Sequence, residues 1–365
     1  MYMLRFFPSR TLALYMARMF LLRSFAILAA LVLVLQTLDL LGESGNILAH
    51  PGNGDAALWH YVTLRLPQIV ARFLPFSVLL GTLVTFVTLN QNSEVISMKA
   101  AGASAHQILA PLVVASIGIA ATSFVFNERV VVRSTETLNA WQDADYGAIP
   151  PDRGIVRNVW VRDGDDLIEA QAAGGRGSGT RLRGVRIFER DGGRLVSILR
   201  ADRGQPEGDA WRLSTARRFD VTTGKLSDAG SPLVAKEVKP EQFTLASVSP
   251  DEKSLGALRL AIADLSAAGR PVGALEAGWW HKIAGPLSSI LMPLLGSVAA
   301  FGLARSGLLF VRAVIGMVLG FAYFVADNFA LAMGNLGAYP PFLAAWAPFI
   351  LFFLIGEAVL IRSEE

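Results

Sequence analysis

Cysteine is absent from the 365 residues, which excludes disulfides, thiol nucleophiles and every cysteine-ligated zinc site while leaving the redox compartment open. Histidine is almost as scarce: His50, His60, His106 and His281 are the only four, and none stands at H-E-x-x-H or other ligand spacing. No G-x-x-x-x-G-K-[ST] occurs, and the run Gly174-Gly175-Arg176-Gly177 fails G-x-G-x-x-G and precedes no helical pattern. No metal, nucleotide or other cofactor is therefore expected. Charge is the third shortage. Charged residues make up 17% of the chain against 53% hydrophobic, with a mean hydropathy of +0.45. Of 63 charged residues, 40 lie between Thr135 and Val272, so the remaining 227 positions carry roughly one in ten. The net charge of +3 is spread over both parts, and no basic run interleaved with aromatics argues for nucleic acid.

Charge-free apolar sequence on that scale suits a lipid-embedded chain. Six stretches are long enough to cross a bilayer: Phe20–Leu41, Leu66–Leu89, Ile108–Val132, Ile283–Leu303, Val311–Met333 and Phe342–Ile361. The first is too long for a signal-peptide core and has no A-x-A site after it, so it reads as an uncleaved span. Orientation comes from lysine and arginine. Arg5, Arg10, Arg18 and Arg23, then Lys99, Arg305, Arg312 and Arg362 mark one side, whereas the short loops Gly42–Tyr61 and Gly334–Pro341 contain neither residue. Both termini are expected inside, with the polar insert outside and Trp59, Trp279 and Trp280 at the outer interface.

Inside the insert the hydrophobic period is two. Ile155–Val161 runs into Arg162-Asp163-Gly164, and Val185–Arg190 and Arg194–Leu199 flank Asp191-Gly192-Gly193, a hairpin with the glycine a tight turn requires. Trp211–Leu213 and Phe219–Thr222 continue the pattern. Such spacing predicts an antiparallel sandwich, jelly roll or open barrel, with a flexible loop at Gly174–Gly179 and a helix near Ser254–Ala268. The expected organisation is a membrane α-helical protein of six spans with an external β jelly-roll-like domain between spans three and four: residues 1–134, 135–272 and 273–365.

Several charges sit where the orientation rule disfavours them. Arg65 and Arg72, seven apart with Gln68 between, share one face of the second span; Arg129 and Arg133 lie at the outer end of the third, and Lys282 at that of the fourth. They either pair with Asp39, Glu43, Glu128 and Glu276 or form a ring for lipid phosphates, which suit arginine forks. Asp327, midway along the fifth span, must face protein or water, and Asp39 has a similar status nearer the interface. Gly316 and Gly320 form a close-packing G-x-x-x-G face on the same span. Glu94 comes after Ser93, a good N-cap, and opens a short inside helix over 93–105 that shows an Ile96/Met98 pair to the cytosol. An acid there stabilises its own helix by about 0.3–1 kcal/mol through the dipole, or it meets a basic partner. His281 is expected to pack at the interface with no ligand. Asp39, Asp327 and Glu357 are scattered over three spans and form no catalytic pair, so an enzyme is not expected.

Leu66-Pro67 through Pro75, Leu79-Leu80-Gly81, then Asn92-Ser93-Glu94-Val95-Ile96-Ser97-Met98-Lys99-Ala100-Ala101-Gly102-Ala103-Ser104 resembles the LP…P…LLG…SELxAMRAAGxS pattern of the lipopolysaccharide export permeases, the LptF/LptG family. Trp279-Trp280-His281-Lys282-Ile283-Ala284-Gly285-Pro286-Leu287, Phe301-Gly302 with Arg305, and Tyr339-Pro340-Pro341 with Ala345-Trp346-Ala347-Pro348 are similar to the start of its fourth span and to its last. The FG-x-x-R stretch and the carboxy-terminal pattern look more like the LptG branch than LptF. Valine after Glu94 and lysine at Lys99 are mild departures.

The resemblance implies a non-catalytic subunit of an inner-membrane ABC transporter. It would pair with an LptF-like subunit above an LptB-like ATPase dimer. It would take lipopolysaccharide from the outer leaflet and pass it through the β region to LptC-like and LptA-like bridge proteins. Under that reading Arg65, Arg72, Arg129, Arg133 and Lys282 hold lipid phosphates. Glu94, Ile96, Met98 and Lys99 contact the ATPase, and Gly316, Gly320, Asp327 and Asp39 belong to helix interfaces, with the fifth span at the partner seam. The alternative is a membrane-anchored scaffold or mechanotransmitter whose β domain binds a partner without moving lipid.

Overall fold

The computed structural model describes residues 9–149, 156–175, 177–236, 238–244, 248–267, 270–301 and 309–362. The chain divides into two compact units, one of residues 1–148, 250–255 and 273–365, the other of residues 149–249 and 256–272.

The first unit is helical. Ser9 caps α1 (Arg10–Ala49) by accepting from Leu12 N at 3.1 Å. Its buried residues Met16, Phe20, Ser24, Leu28, Val32 and Gln36 recur every fourth position, a single ridge laid against α2 (Asp55–Gln91). The crossing is close because Gly81 lies under Ser24: a Cβ there would stand 2.8 Å from Ser24 Cα. Pro67 and Pro75 both fall inside α2, each removing one ladder bond. The chain then turns through α3 (Glu94–Ala100), and Gly102, at φ +88°, lets Ala103 N reach Met98 O. A capping box, Ser104 with Gln107, starts α4 (Ala105–Phe126). A π-helical turn, Asn127–Val131, joins α4 to α5 (Val132–Gln142). Two shorter helices, α6 (Pro240–Thr244) and α7 (Leu255–Ala267), interrupt the series. The unit resumes with α8 (Gly273–Phe301), α9 (Leu309–Asn335) and α10 (Pro341–Arg362).

Five helices among the described residues are long and apolar enough to cross a membrane: Arg10–Ala49, Asp55–Gln91, Ala105–Gln142, Ala313–Asn335 and Pro341–Arg362. α8 is not among the five, although at 29 residues it has the length. Its first third carries Glu276, Trp279, Trp280, His281 and Lys282, and residues 302–308, where the expected fourth span ended and Arg305 stands, lie outside the described residues.

The second unit is one antiparallel sheet. β1 (Val156–Asp163), β2 (Asp166–Gly174), β3 (Arg181–Asp191) and β4 (Arg194–Glu207) pair in succession. β5 (Ala210–Ser214) takes the far end of β4 and β6 (Ala216–Asp220) its near end. β7 (Leu226–Gly230) pairs with β6, and β8 (Leu233–Val234) with β5. The predicted turns at Gly164 and at Gly192-Gly193 are present, the glycines at φ +58°, +54° and +80°. Within the predicted Gly174–Gly179 loop, Gly177–Gly179 forms a 3-10 turn, and Arg176 lies outside the described residues. One face of the sheet packs Val159, Ile168, Val185, Ile187, Leu199 and Leu213 into a core. Over it α6 sets Phe243 against Trp211, rings 5.0 Å apart, and Trp211 Nε1 donates to Val238 O.

Candidate lipid-handling and coupling sites

The expected ring of five cations divides into two paired and three unpaired members. Arg65 forks onto Asp39, with Nε 3.2 and 3.1 Å from the two carboxylate oxygens and Nη2 2.9 Å from Oδ1; its Nη1 donates to Gln68 Oε1 at 2.7 Å. Tyr61 donates to the same carboxylate at 2.6 Å. This junction ties the C-terminal part of α1 to α2. One helical turn below it, Gln36 is 8% exposed and neither its Nε2 nor its Oε1 has a partner among the described residues; Gln68 Nε2 has none either. Lys282 Nζ stands 3.8 Å from Glu128 Oε1, its side chain 8% exposed, and Glu128 Oε2 accepts from Leu255 N at the start of α7. Arg65 and Lys282 thus have protein carboxylates as partners, the pairing that burial of a cation demands.

Arg72, Arg129 and Arg133 are exposed and make no ion pair or hydrogen bond among the described residues. Arg129 lies inside the π turn and Arg133 just beyond it. Four residues apart across that turn, the two lie on about the same face of the helix, and both are exposed. The neighbouring Glu128 is held by Leu255 N and Lys282.

α3 differs from expectation in two respects. Ser93 occupies the N-cap position but adopts φ +58° and makes no side-chain cap; its carbonyl is taken by Ser97 N and Oγ. Ile96 and Met98 do not form one exposed pair. Two residues apart on a helix they point to opposite sides. Ile96 is 52% exposed, while Met98 and Val95 are buried in the membrane-unit core. Glu94 is half-buried, its Oε1 accepting from Tyr15 Oη at 3.4 Å and Asn92 Nδ2 at 3.3 Å. Lys99 Nζ lies 5.2 Å from the centre of the Phe301 ring, a cation–π contact between α3 and the end of α8.

The acids within the helices each meet a partner on another helix: Asp39 as above, Asp327 with His281 Nε2 at 3.0 Å, and Glu357 with His106 Nε2 at 3.3 Å. His281 is therefore more than interfacial packing. The signal was present, since an acid in an apolar helix needs a partner and His281 is one of only four histidines. Gly320 faces inward on α2, where a Cβ would collide with Leu79 Cδ2, and Gly316 is buried as well. The G-x-x-x-G face is thus occupied within this chain at Gly320, and the exposed side of α9, Val318, Phe321, Val325 and Phe329, is the side left for another surface. At the C-terminal end of α1 an open recess of about 540 Å³ is lined by Glu43, Asn46, His50, Gln142, Asp145 and Tyr146. Burial pushes the Tyr146 phenol above its ordinary range, with Glu43 adding to the shift and Gln142 opposing it.

The model of the family described as lipopolysaccharide export system permease LptF/LptG matches residues 14–362, from the first turns of α1 to the last residue of α10. The chain belongs to the LptF/LptG family. Among curated proteins it is similar to the lipopolysaccharide export system permease protein LptG of Escherichia coli (strain K12), 28% identical over 312 residues, 83% of this chain and 85% of that protein. It is also similar to the LptG permease protein of Haemophilus influenzae, 24% identical over 328 residues, 86% of this chain and 89% of that one. For an LptF/LptG member, α3 and the exposed arginines acquire a context that spacing alone did not supply. α3 sits between two membrane-length helices, and Arg72, Arg129 and Arg133 are cations on helices of a lipopolysaccharide permease family.

Proposed function

We propose that this chain is the LptG-type permease subunit of an inner-membrane ABC transporter that extracts lipopolysaccharide from the outer leaflet and passes it to a periplasmic bridge. The observation carrying the reading is the family match over nearly the whole chain. In this reading α8 also crosses the membrane, as the fourth of six spans, both termini are cytoplasmic, and residues 135–272 form a periplasmic jelly-roll-type domain between membrane parts 1–134 and 273–365. The partners are an LptF-like subunit, an LptB-like ATPase dimer, and LptC-like and LptA-like proteins.

Two features support a transport role over a scaffold. With no nucleotide motif of its own, the chain needs force delivered from outside, and α3 offers exposed Ile96 beside half-buried Glu94 for that contact. Arg72, Arg129 and Arg133 are cations with no carboxylate partner among the described residues, which a scaffold would not need and a doubly anionic phosphate would satisfy. Arg65 and Lys282, already paired, would position the helices that carry them.

The test is ATP-driven lipopolysaccharide release from proteoliposomes holding the full complex. Arg133→Glu is expected to lower release while the complex assembles at the parent yield, because the side chain has no partner to lose among the described residues. Release at the parent rate would remove Arg133 from the lipid path. A complex that assembles and hydrolyses ATP but releases no lipid, even with the parent chain, would favour the scaffold.

A further inference from the structure

The outer face of the sheet, opposite its core, carries charge in an arrangement that folding does not explain. The register sets Arg183 on β3 directly opposite Arg203 on β4, and Arg200 on β4 directly opposite Arg217 on β6. Opposed side chains of an antiparallel pair stand about 4.5–5.5 Å apart at Cβ, and like charges so placed destabilise the sheet. All four guanidinium groups are exposed, and none has a hydrogen bond or ion pair among the described residues. Arg186, also opposite Arg200, is by contrast held by Glu169 at 2.8 Å. Besides Glu169, two carboxylates share the face. Asp202 accepts from Thr215 Oγ1 at 3.1 Å, and Asp228, opposite Arg217, accepts from Gly230 N at 2.9 Å. The face keeps an excess of positive charge.

Beside the arginines runs an apolar row. The register aligns Phe188, Ile198, Phe219 and Leu226 across β3, β4, β6 and β7, and Trp160 stacks on Phe188 with rings 5.5 Å apart. Trp160 is 50% exposed and Leu226 63%. A soluble sheet face has no reason to keep a tryptophan and a phenylalanine in water beside four unpaired arginines. Aromatic and aliphatic groups next to arginine are the mixture found where protein meets the headgroup zone of a bilayer.

We propose that this outer face is a docking surface for the anionic headgroups of a lipid bilayer, the arginines taking the phosphates and the Trp160–Leu226 row resting among the upper acyl carbons. A bilayer is favoured over an acidic protein because the chain enters and leaves this unit through the α1–α5 and α8–α10 segments, so a membrane is covalently tethered nearby at high effective concentration. Docking of this face requires only that those helices lie in a membrane, whether or not the chain moves lipopolysaccharide.

The absence of cysteine makes the test direct. Full-length chain bearing Leu226→Cys, labelled with an environment-sensitive fluorophore, is placed in nanodiscs of phosphatidylcholine alone or mixed with phosphatidylglycerol. Asp209→Cys, in the turn between β4 and β5, serves as the control position. The expected result is a blue shift at position 226 only, present with phosphatidylglycerol and reversed by NaCl. It should be lost in Arg183→Gln/Arg200→Gln/Arg203→Gln/Arg217→Gln and retained with lysine at the same four positions. The glutamine variant should also melt no lower than the parent, since it relieves three like-charge pairs, Arg183–Arg203, Arg186–Arg200 and Arg200–Arg217. Identical spectra in both lipids, a lower melting temperature for the glutamine variant, or a shift that appears only on adding an acidic partner protein would each overturn the proposal.

Discussion

The Asp39–Arg65 junction allows a quantitative test of how α1 is held. An exposed ion pair contributes about 0–1 kcal/mol, whereas stripping one member from a fully buried pair costs about 3–5 kcal/mol. Here the side chains retain 25% and 33% of their exposure, and the fork is completed by Tyr61 and Gln68. The relevant scale is that of a charge-assisted hydrogen bond, about 1.5–3 kcal/mol. Arg65→Met keeps the aliphatic bulk and strands Asp39 with Tyr61 alone; Asp39→Asn strands the guanidinium group. Each single variant is expected to lose about 1.5–3 kcal/mol in equilibrium unfolding of the purified protein in mixed micelles. The double variant leaves no uncompensated charge and should lose clearly less than the sum, with a coupling of at least about 1 kcal/mol. Additivity within about 0.5 kcal/mol would refute the clasp. Loss of lipopolysaccharide release by Arg65→Met with no change in stability would return Arg65 to the lipid-phosphate set.

Packing sets two further outcomes. Met98→Ala should destabilise the membrane unit by about 2–5 kcal/mol, as for other buried methionines, whereas Ile96→Ala, at an exposed position, should leave stability within about 0.5 kcal/mol and lower lipid-stimulated ATP hydrolysis in the assembled complex. Equal effects on stability would mean that the two side chains are not divided between core and surface. Gly81→Val should part α1 from α2, because a Cβ there meets backbone as well as the Ser24 side chain, and a single-cysteine accessibility map along α1 would then show Leu28 and Val32 newly reactive; an unchanged map would refute the close crossing.

Legibility in the chain divides by the kind of interaction involved. Composition alone separated the apolar blocks from the polar insert, because burial in lipid and burial in a sheet leave different periods, and the hairpin at Asp191-Gly192-Gly193 could be read from its glycines. Helix ends were less legible. Phe20–Leu41 was expected where α1 runs from Arg10 to Ala49, since hydropathy marks the apolar centre of a helix and not the polar turns that extend it beyond the membrane. The error at Ile96 and Met98 was one of period: both are apolar, but a spacing of two is a strand's periodicity, and on a helix it places one residue in and the other out.

The partners of charged residues were the least legible, and for a physical reason. Arg65, Arg72, Arg129, Arg133 and Lys282 look equivalent in sequence, since each is a cation near an outer helix end. Whether such a cation is spent on its own fold or left for a ligand depends on which acid a neighbouring helix brings within about 4 Å, a relation between residues 26 apart for Arg65 and Asp39 and far more for Lys282 and Glu128. The β unit differs because strand register is local. Once β3, β4 and β6 pair, Arg183 must face Arg203 and Arg200 must face Arg217, and their buried neighbours Leu182, Gly204, Leu199 and Ala216 put all four on the side away from the core. That repulsion is fixed by the pattern of the strands as soon as the turns are known, so the outer face could in principle have been found from sequence. It was missed because the arginines were read one strand at a time, whereas the energetic unit of a sheet is the pair across strands.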